Sequence, residues 1–394
     1  MIELLAPAGD LEKLKIAYLY GADACFIGGE EFSLRARASN FTLKEIKEGA
    51  KFAHDLGKKL YVTTNIIPHN ENLENLKAYL KGLEEADVDA IIVASPYIAS
   101  VARKYTNLEI HISTQQSTTN KYAFQFYKDL GATRIVLARE LSLNEIKEIT
   151  TSTDLDIEVF IHGGMCSSYS GRCTLSNTFT LRDANRGGCA HSCRWLYHLY
   201  DKEEKLSTDV LFSMGSKDLQ TLALIPDLIT ANVQSLKIEG RMKSVHYIAT
   251  VVNAYRMLID EFNSTGEVAN LEFYQTEIEK AENRLTSQGF LDRFPTNLDQ
   301  LYNRKLEVPN QMFVGIVLEK VNDLVKIEQR NYFKIGDTIE IFGPNKKPQT
   351  FVLKEMFNEA LEKTEIARHP KETLYIKVPF EVNSFDMLRK LWTS

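Results

Sequence analysis

Leu60-Tyr61-Val62-Thr63-Thr64-Asn65 is a β-branched and aromatic run that closes on a polar turn and hands over to a longer segment with helical spacing. The same unit recurs on both sides of it. Before it stand Leu4-Leu5-Ala6-Pro7 and Ala24-Cys25-Phe26-Ile27; after it come Ala90-Ile91-Ile92-Val93-Ala94, Ile110-His111-Ile112-Ser113 and Arg134-Ile135-Val136-Leu137-Ala138. Ile157-Glu158-Val159-Phe160-Ile161-His162 and Leu236-Lys237-Ile238-Glu239 complete the set. Strands that alternate with helices build a parallel sheet, and a chain with eight such units fits an α/β fold of the (β/α)8 TIM-like barrel type. A doubly wound open sheet is the rival topology.

Side chains alternate across a strand, so Ile110 and Ile112 are expected to face the helices while His111, Ser113 and Gln115 face the barrel axis. The same rule turns His162 inward on the seventh strand, and Lys237, Glu239 and Arg241 inward on the eighth. Polar residues, Asn65 among them, gather at the C-terminal strand ends, where enzymes of this class place their active sites.

The chain has 394 residues, a formal charge of -6, 25% charged residues and five cysteines. That balance excludes disordered, collagenous and disulfide-scaffold classes and argues against nucleic-acid binding through a uniformly basic surface. No signal-like or membrane-spanning apolar stretch is present, so the expected place is the cytoplasm, with reduced thiols and no membrane partner.

One interval is out of proportion: Ile157 to Ser235 spans 78 residues. It holds Cys166, Cys173, Cys189 and Cys193, four of the five cysteines within 28 residues. Metal or redox chemistry is the better reading of such a group in a reducing compartment. Only Cys189 and Cys193 approach zinc-knuckle spacing, whereas an iron–sulfur cluster tolerates wider gaps; zinc and buried thiols remain as alternatives. Cys25, inside an apolar strand, reads as a small hydrophobe.

Arg172, Arg182, Arg186 and Arg194 stand around the cysteines, suited to offset cluster charge or to clamp an anionic substrate. Trp195 to Tyr200 and Val210 to Phe212 flank a polar turn and predict a small hairpin, and Asp218 to Ile229 predicts a barrel helix. Lys237-Ile238-Glu239-Gly240-Arg241 puts alternate charges at the eighth strand's rim, Glu239 as a candidate acid or base and Arg241 as an anion clamp. No serine triad elbow, His-Glu-x-x-His helix, phosphate loop or dinucleotide fingerprint appears.

From Gln311 onward short strands follow closely, as in a small antiparallel β-barrel. The expected organisation is a barrel over 1–265, a helical linker over 266–310 and a small β-barrel domain over 311–394.

Glu158-Val159-Phe160-Ile161-His162-Gly163-Gly164-Met165-Cys166, then Gly171-Arg172-Cys173-Thr174-Leu175-Ser176, closely resembles the signature of the collagenase-like peptidases, the thirty-second family of peptidases of unknown catalytic type. Leu4-Leu5-Ala6-Pro7-Ala8-Gly9, Lys237-Ile238-Glu239-Gly240-Arg241 and Ser287-Gln288-Gly289-Phe290-Leu291 are similar to further landmarks. The layout most resembles the branch implicated in tRNA hydroxylation, which makes 5-hydroxyuridine at the wobble position with prephenate as the suggested hydroxyl donor. The resemblance implies a 4Fe-4S cluster on Cys166, Cys173, Cys189 and Cys193, with tRNA and a small anionic co-substrate as partners. It leaves a paralogous subunit as a possible further partner, and a zinc-bearing peptidase or a non-catalytic partner subunit as alternative functions. Glu239, His162 and His111 are the catalytic candidates. Arg172, Arg182, Arg186, Arg241, Lys237, Asn65 and Gln115 are the substrate-binding ones.

Overall fold

The computed structural model describes residues 2–34, 40–206, 211–281, 284–302 and 311–392. Eight strands, β1 (Glu3–Pro7), β2 (Ala24–Gly28), β3 (Lys59–Thr64), β4 (Ala90–Val93), β5 (Glu109–Ile112), β6 (Arg134–Val136), β7 (Asp156–Gly163) and β8 (Ser235–Ile238), pair in parallel in chain order. Glu3 pairs with Ser235, which closes β8 onto β1 and makes the sheet a barrel.

Helices α1 (Leu11–Leu19), α2 (Leu43–Asp55), α3 (Leu76–Glu85), α4 (Pro96–Tyr105), α5 (Ala123–Asp129) and α6 (Leu143–Thr150) return the chain between strands. Their starts are written locally. Thr42 with Glu45, and Ser142 with Glu145, form capping boxes that satisfy the first free amides of α2 and α6. Ser95 caps α4 ahead of Pro96, whose fixed φ suits the first turn.

The outward strand residues and the helices share one continuous apolar core that includes Leu4, Ile27, Val62, Ile91, Ile110, Ile112 and Leu236. The inward faces divide into levels. An apolar patch of Leu5, Ala24, Phe26, Tyr61, Ala90 and Ile92 lies on the axis. At the N-terminal end Arg134 pairs with Glu3 at 2.6 Å and Glu158 at 3.3 Å, Lys237 reaches Glu158 at 2.7 Å, and Ser235 and Tyr61 donate to Glu3 at 2.7 Å and 2.6 Å. Burial pushes the Glu158 carboxyl up, but Lys237 and Arg134 more than offset it and hold it below its ordinary range.

The insertion between β7 and β8 contains α7 (Leu175–Thr180) and a hairpin of Tyr200–Asp201 against Glu204–Lys205, with Tyr197 and Phe212 bridged. Val210, assigned to that hairpin from sequence, lies outside the described residues. The helix expected over Asp218 to Ile229 is shorter. Asp218–Gln220 is a strand antiparallel to β7, Leu219 facing Gly163, and the helix α8 is confined to Ile225–Thr230. Arg194 and Arg284 hold the Asp218 carboxylate at 3.5 Å and 3.2 Å, which fixes the strand, and Pro226 favours a helix start beside it.

After β8, α9 (Val245–Thr265) and α10 (Leu271–Glu279) lead to an antiparallel sheet domain. Its strands β9 (Gln311–Val321), β10 (Leu324–Gln329), β11 (Thr338–Phe342), β12 (Gln349–Val352), β13 (Met356–Phe357), β14 (Thr373–Ile376) and β15 (Met387–Leu391) pair in the order β12-β11-β15-β9-β10-β14-β13. The domain has its own apolar core around Val314, Ile327, Phe333 and Leu374. It is tied to α10 by the fully buried Arg389, which pairs with Glu277 at 2.5 Å and Glu340 at 2.6 Å.

Candidate functional site

β7 ends in Gly163, whose φ is +105°, and a side chain there would run into the Glu239 backbone. Only glycine accepts both conditions, so the chain turns off the barrel rim with β7 and β8 in close approach. Glu239 N donates to His162 O at 2.8 Å across the same gap. Gly171 repeats the device with φ +70° against the Gln115 backbone.

The cysteine loop between these glycines is fastened to the mouth. Arg139 donates to Gly164 O at 2.6 Å, Ser170 N donates to Glu140 at 2.9 Å, and Ser117 donates to Ser170 O. The later cysteines are bound to the same loop: Asn185 donates to Cys173 O at 3.3 Å, Ala190 N to Ser176 Oγ at 3.0 Å, and Arg194, next to Cys193, to Met165 O, next to Cys166, at 3.0 Å. Short cross-links therefore join all four cysteine-bearing segments above the C-terminal strand ends.

The thiols feel one another. Burial raises the Cys166 thiol, Arg139 lowers it, and the charges of Cys193, Cys189 and Cys173 raise it again, so all three lie within electrostatic reach of the first. Cys166 and Cys189 are exposed and Cys173 and Cys193 half-buried, so the loop is a shallow, solvent-facing cradle. Cys25 is apart from them, buried in β2, with its thiol pushed up by burial.

A single tetrahedral ion with sulfur at about 2.3 Å draws its ligand sulfurs to within roughly 3.8 Å of each other. Among the described residues no three His, Cys, Asp or Glu side chains converge in that way. Four thiols on irregular, glycine-bearing backbone with an adjacent guanidinium are a donor set of the kind that both iron–sulfur clusters and zinc take.

The other candidates separate into two levels. His162 is buried at the mouth, its Nδ1 3.4 Å from the Tyr255 hydroxyl, with the Tyr247 ring beside it. Glu239 is half-buried on the rim, and its carbonyl accepts from Tyr247 at 3.2 Å. Arg241 lies over Gly28 and donates to Ser33 at 3.1 Å, Thr63 at 3.3 Å and Asn40 at 2.9 Å. Asn65 accepts from Leu34 N at 3.1 Å, and the buried Gln115 accepts from Ser113 at 3.3 Å.

His111 and Lys237 belong to the opposite end. His111 sits 3.5 Å from Glu109 and edge-on to Tyr61, its basicity lowered chiefly by burial; Lys237 is held by Glu158. In the insertion, Arg172 is exposed and Arg182 half-buried. Arg186 pairs with Glu71 at 2.5 Å and pins the insertion to the loop after β3.

Two residues escaped the sequence reading. Arg139 follows β6 at the rim and stacks 3.8 Å over the Phe160 ring; its place just past a strand's C-terminal end was the available signal. Asp218, hidden in a supposed helix, has its carboxyl raised by burial against the pull of Arg194, Lys243 and Arg139. A carboxyl of raised proton affinity beside the cysteine loop is a candidate proton carrier.

The chain matches the models of Peptidase family U32 over residues 9–300 and of the Peptidase family U32 C-terminal domain over 309–389. It is 47% identical to tRNA hydroxylation protein P1 of Bacillus subtilis, over 98% of this chain and 94% of that protein. It is 34% identical to tRNA hydroxylation protein P of Escherichia coli, over 96% and 94%. With the 23S rRNA 5-hydroxycytidine synthase of Escherichia coli it shares 40% identity over 70% of this chain and 42% of that one. A barrel matched over residues 9–300 and a sheet domain matched over 309–389 leave one assignment: this chain belongs to Peptidase family U32.

Proposed function

We propose that the chain is an iron–sulfur RNA hydroxylase that forms 5-hydroxyuridine at the wobble position of tRNA, with prephenate as the hydroxyl donor. The observation that carries the reading is the cross-linked cradle of Cys166, Cys173, Cys189 and Cys193 at the open end of the barrel. The names of the similar hydroxylation proteins supply the substrate class. Cys166, Cys173, Cys189 and Cys193 would hold a 4Fe-4S cluster, which when bound supplies one-electron chemistry.

The chain's own groups divide the remaining work. Arg172 and Arg182, on the insertion, offer guanidinium forks to a dianion such as prephenate. Asp218 holds or gives a proton at its carboxyl beside the loop. Arg139 steadies the loop through Gly164 O and weakens the repulsion among the thiolates.

Two measurements test the reading. Anaerobically purified protein is expected to be brown and to contain iron and acid-labile sulfide; a colourless protein with one zinc and peptide-cleaving activity would favour the hydrolase that the family is named for. Nucleoside mass spectrometry of tRNA from a deletion strain without a redundant paralogue is expected to lose 5-hydroxyuridine derivatives. Loss on deleting a paralogue alone, with this chain still present, would instead mark a partner subunit.

A further inference from the structure

Beside the cysteine loop lies a cleft of about 610 Å³, walled on one side by Ser167, Ser168 and Thr174 and on the other by the 295–302 segment. Ser167 directly follows Cys166 and Thr174 directly follows Cys173, so the cleft begins one residue from two of the four thiols. It is an open cleft, and its volume falls within the range of small-molecule ligand clefts.

The lining chemistry narrows the occupant. Among the described residues, no lysine, arginine, aspartate, glutamate or histidine borders the cleft. An anion of two charges gains little in such a place. The hydroxyls of Ser167 and Thr174 and the amides of Asn297 and Gln300 each combine donor and acceptor, as the edge of a neutral base requires. Phe212 and Tyr302 stack at 5.6 Å with 24° between their planes and supply an aromatic wall.

The wall is built in advance. Phe212 exchanges both backbone hydrogen bonds with Tyr197, Ser213 N donates to Tyr302 O at 3.0 Å, and Gly215–Ser216 pairs with Gln300–Leu301. At the edge, Tyr169, Phe294 and Leu298, each next in sequence to a lining residue, are exposed, with Phe294 at 83%. A preformed aromatic wall with the exposed rings of Tyr169 and Phe294 one residue away in sequence suits an unpaired strand better than a duplex.

We infer that this cleft is the seat of the target pyrimidine of a single-stranded RNA loop, unstacked and held against the Phe212–Tyr302 wall beside the cysteine cradle. The inference rests on the RNA reading above and specifies its subsite. Enzymes that act on a base must take it out of its stack, and a neutral slot with an aromatic wall is what receives it.

The test is equilibrium binding of the full-length, anaerobically purified protein to a labelled RNA stem-loop with a single-stranded loop, with either uridine or an abasic residue at one loop position. Wild type is expected to prefer the uridine RNA. Tyr302→Ala is expected to lose about tenfold or more for the uridine RNA and nothing for the abasic one, whereas Tyr302→Phe keeps the preference. Asn297→Ala, at an exposed position, tests the same slot if Tyr302→Ala does not fold. Wild type that discriminates the two RNAs while Tyr302→Ala and Asn297→Ala discriminate equally well overturns the cleft and leaves the RNA reading standing. Wild type that ignores both RNAs, or releases them to a collagen-type peptide, removes the RNA reading and the cleft with it.

Discussion

The two ends of the barrel treat charge in opposite ways. At the N-terminal end Glu3, Arg134, Glu158 and Lys237 are packed against one another, each charge answered at 2.6–3.3 Å. At the C-terminal end Cys166, Cys173, Cys189 and Cys193 sit on one cross-linked loop that Arg139 fastens through Gly164 O. A satisfied network of buried charges is a structural lock, and breaking one partner exposes the cost of the others. Four sulfur donors gathered on an open, solvent-facing loop are instead groups placed where something can bind. The difference teaches that polarity inside a barrel says little until its depth is known.

The largest expected effect breaks the mouth alone. Cys189→Ala should abolish bound iron and the tRNA modification while leaving the thermal midpoint of the metal-free protein unchanged. Cys25→Ala should retain both iron and modification and cost about 1 kcal/mol from the small cavity it leaves in β2. Equal iron contents in the two variants, measured by metal analysis, would erase the division between the cysteines.

The next effect breaks the lock. Glu158→Gln leaves Lys237 without its buried partner and should lower unfolding stability by about 3–5 kcal/mol in denaturant titrations. The iron content of the folded fraction should not change. Because the folded Glu158 carboxyl lies below its ordinary value, its contribution is present above about pH 4.3 and is lost as pH falls through the folded value. The variant's stability should therefore depend less on pH below that point.

The smallest effect sharpens the contrast with a buried group that has no opposite charge. His246 stacks on Phe313 at 5.2 Å at the joint between α9 and the C-terminal sheet, and burial, helped by Arg389, holds its pKa down to about 3. The folded histidine stays neutral where the unfolded one protonates near 6.5, so stability is intact above that pH and falls between about 6.5 and 3. At pH 5 the loss relative to pH 7.5 should be roughly 2 kcal/mol larger in wild type than in His246→Phe, by calorimetry.

The eight barrel strands were legible because apolar side chains recur with a two-residue period and each run ends at a turn. The inward direction of His111 and Lys237 was legible for the same reason. Their level was not: a strand rises about 3.3 Å per residue, so alternation fixes the face and leaves the height along the axis open. Asp218–Gln220 was hidden because its partners, Gly163 and Ser287, are distant in sequence. β15 is hard to read from sequence as well, since Arg389 interrupts its apolar pattern and becomes acceptable inside only through Glu277 and Glu340. The cysteine group was conspicuous from spacing, whereas Arg139 enters it from another loop.

The charged lock at the foot of the barrel has a consequence for traffic. With Arg134, Glu158 and Lys237 closing the N-terminal end of the axis, the interior is a blind alley rather than a tunnel, so whatever the barrel takes in must enter and leave by one doorway beneath the insertion. Turnover then requires an order of arrival and departure, and a slowly leaving product would block the next substrate by occupying the threshold.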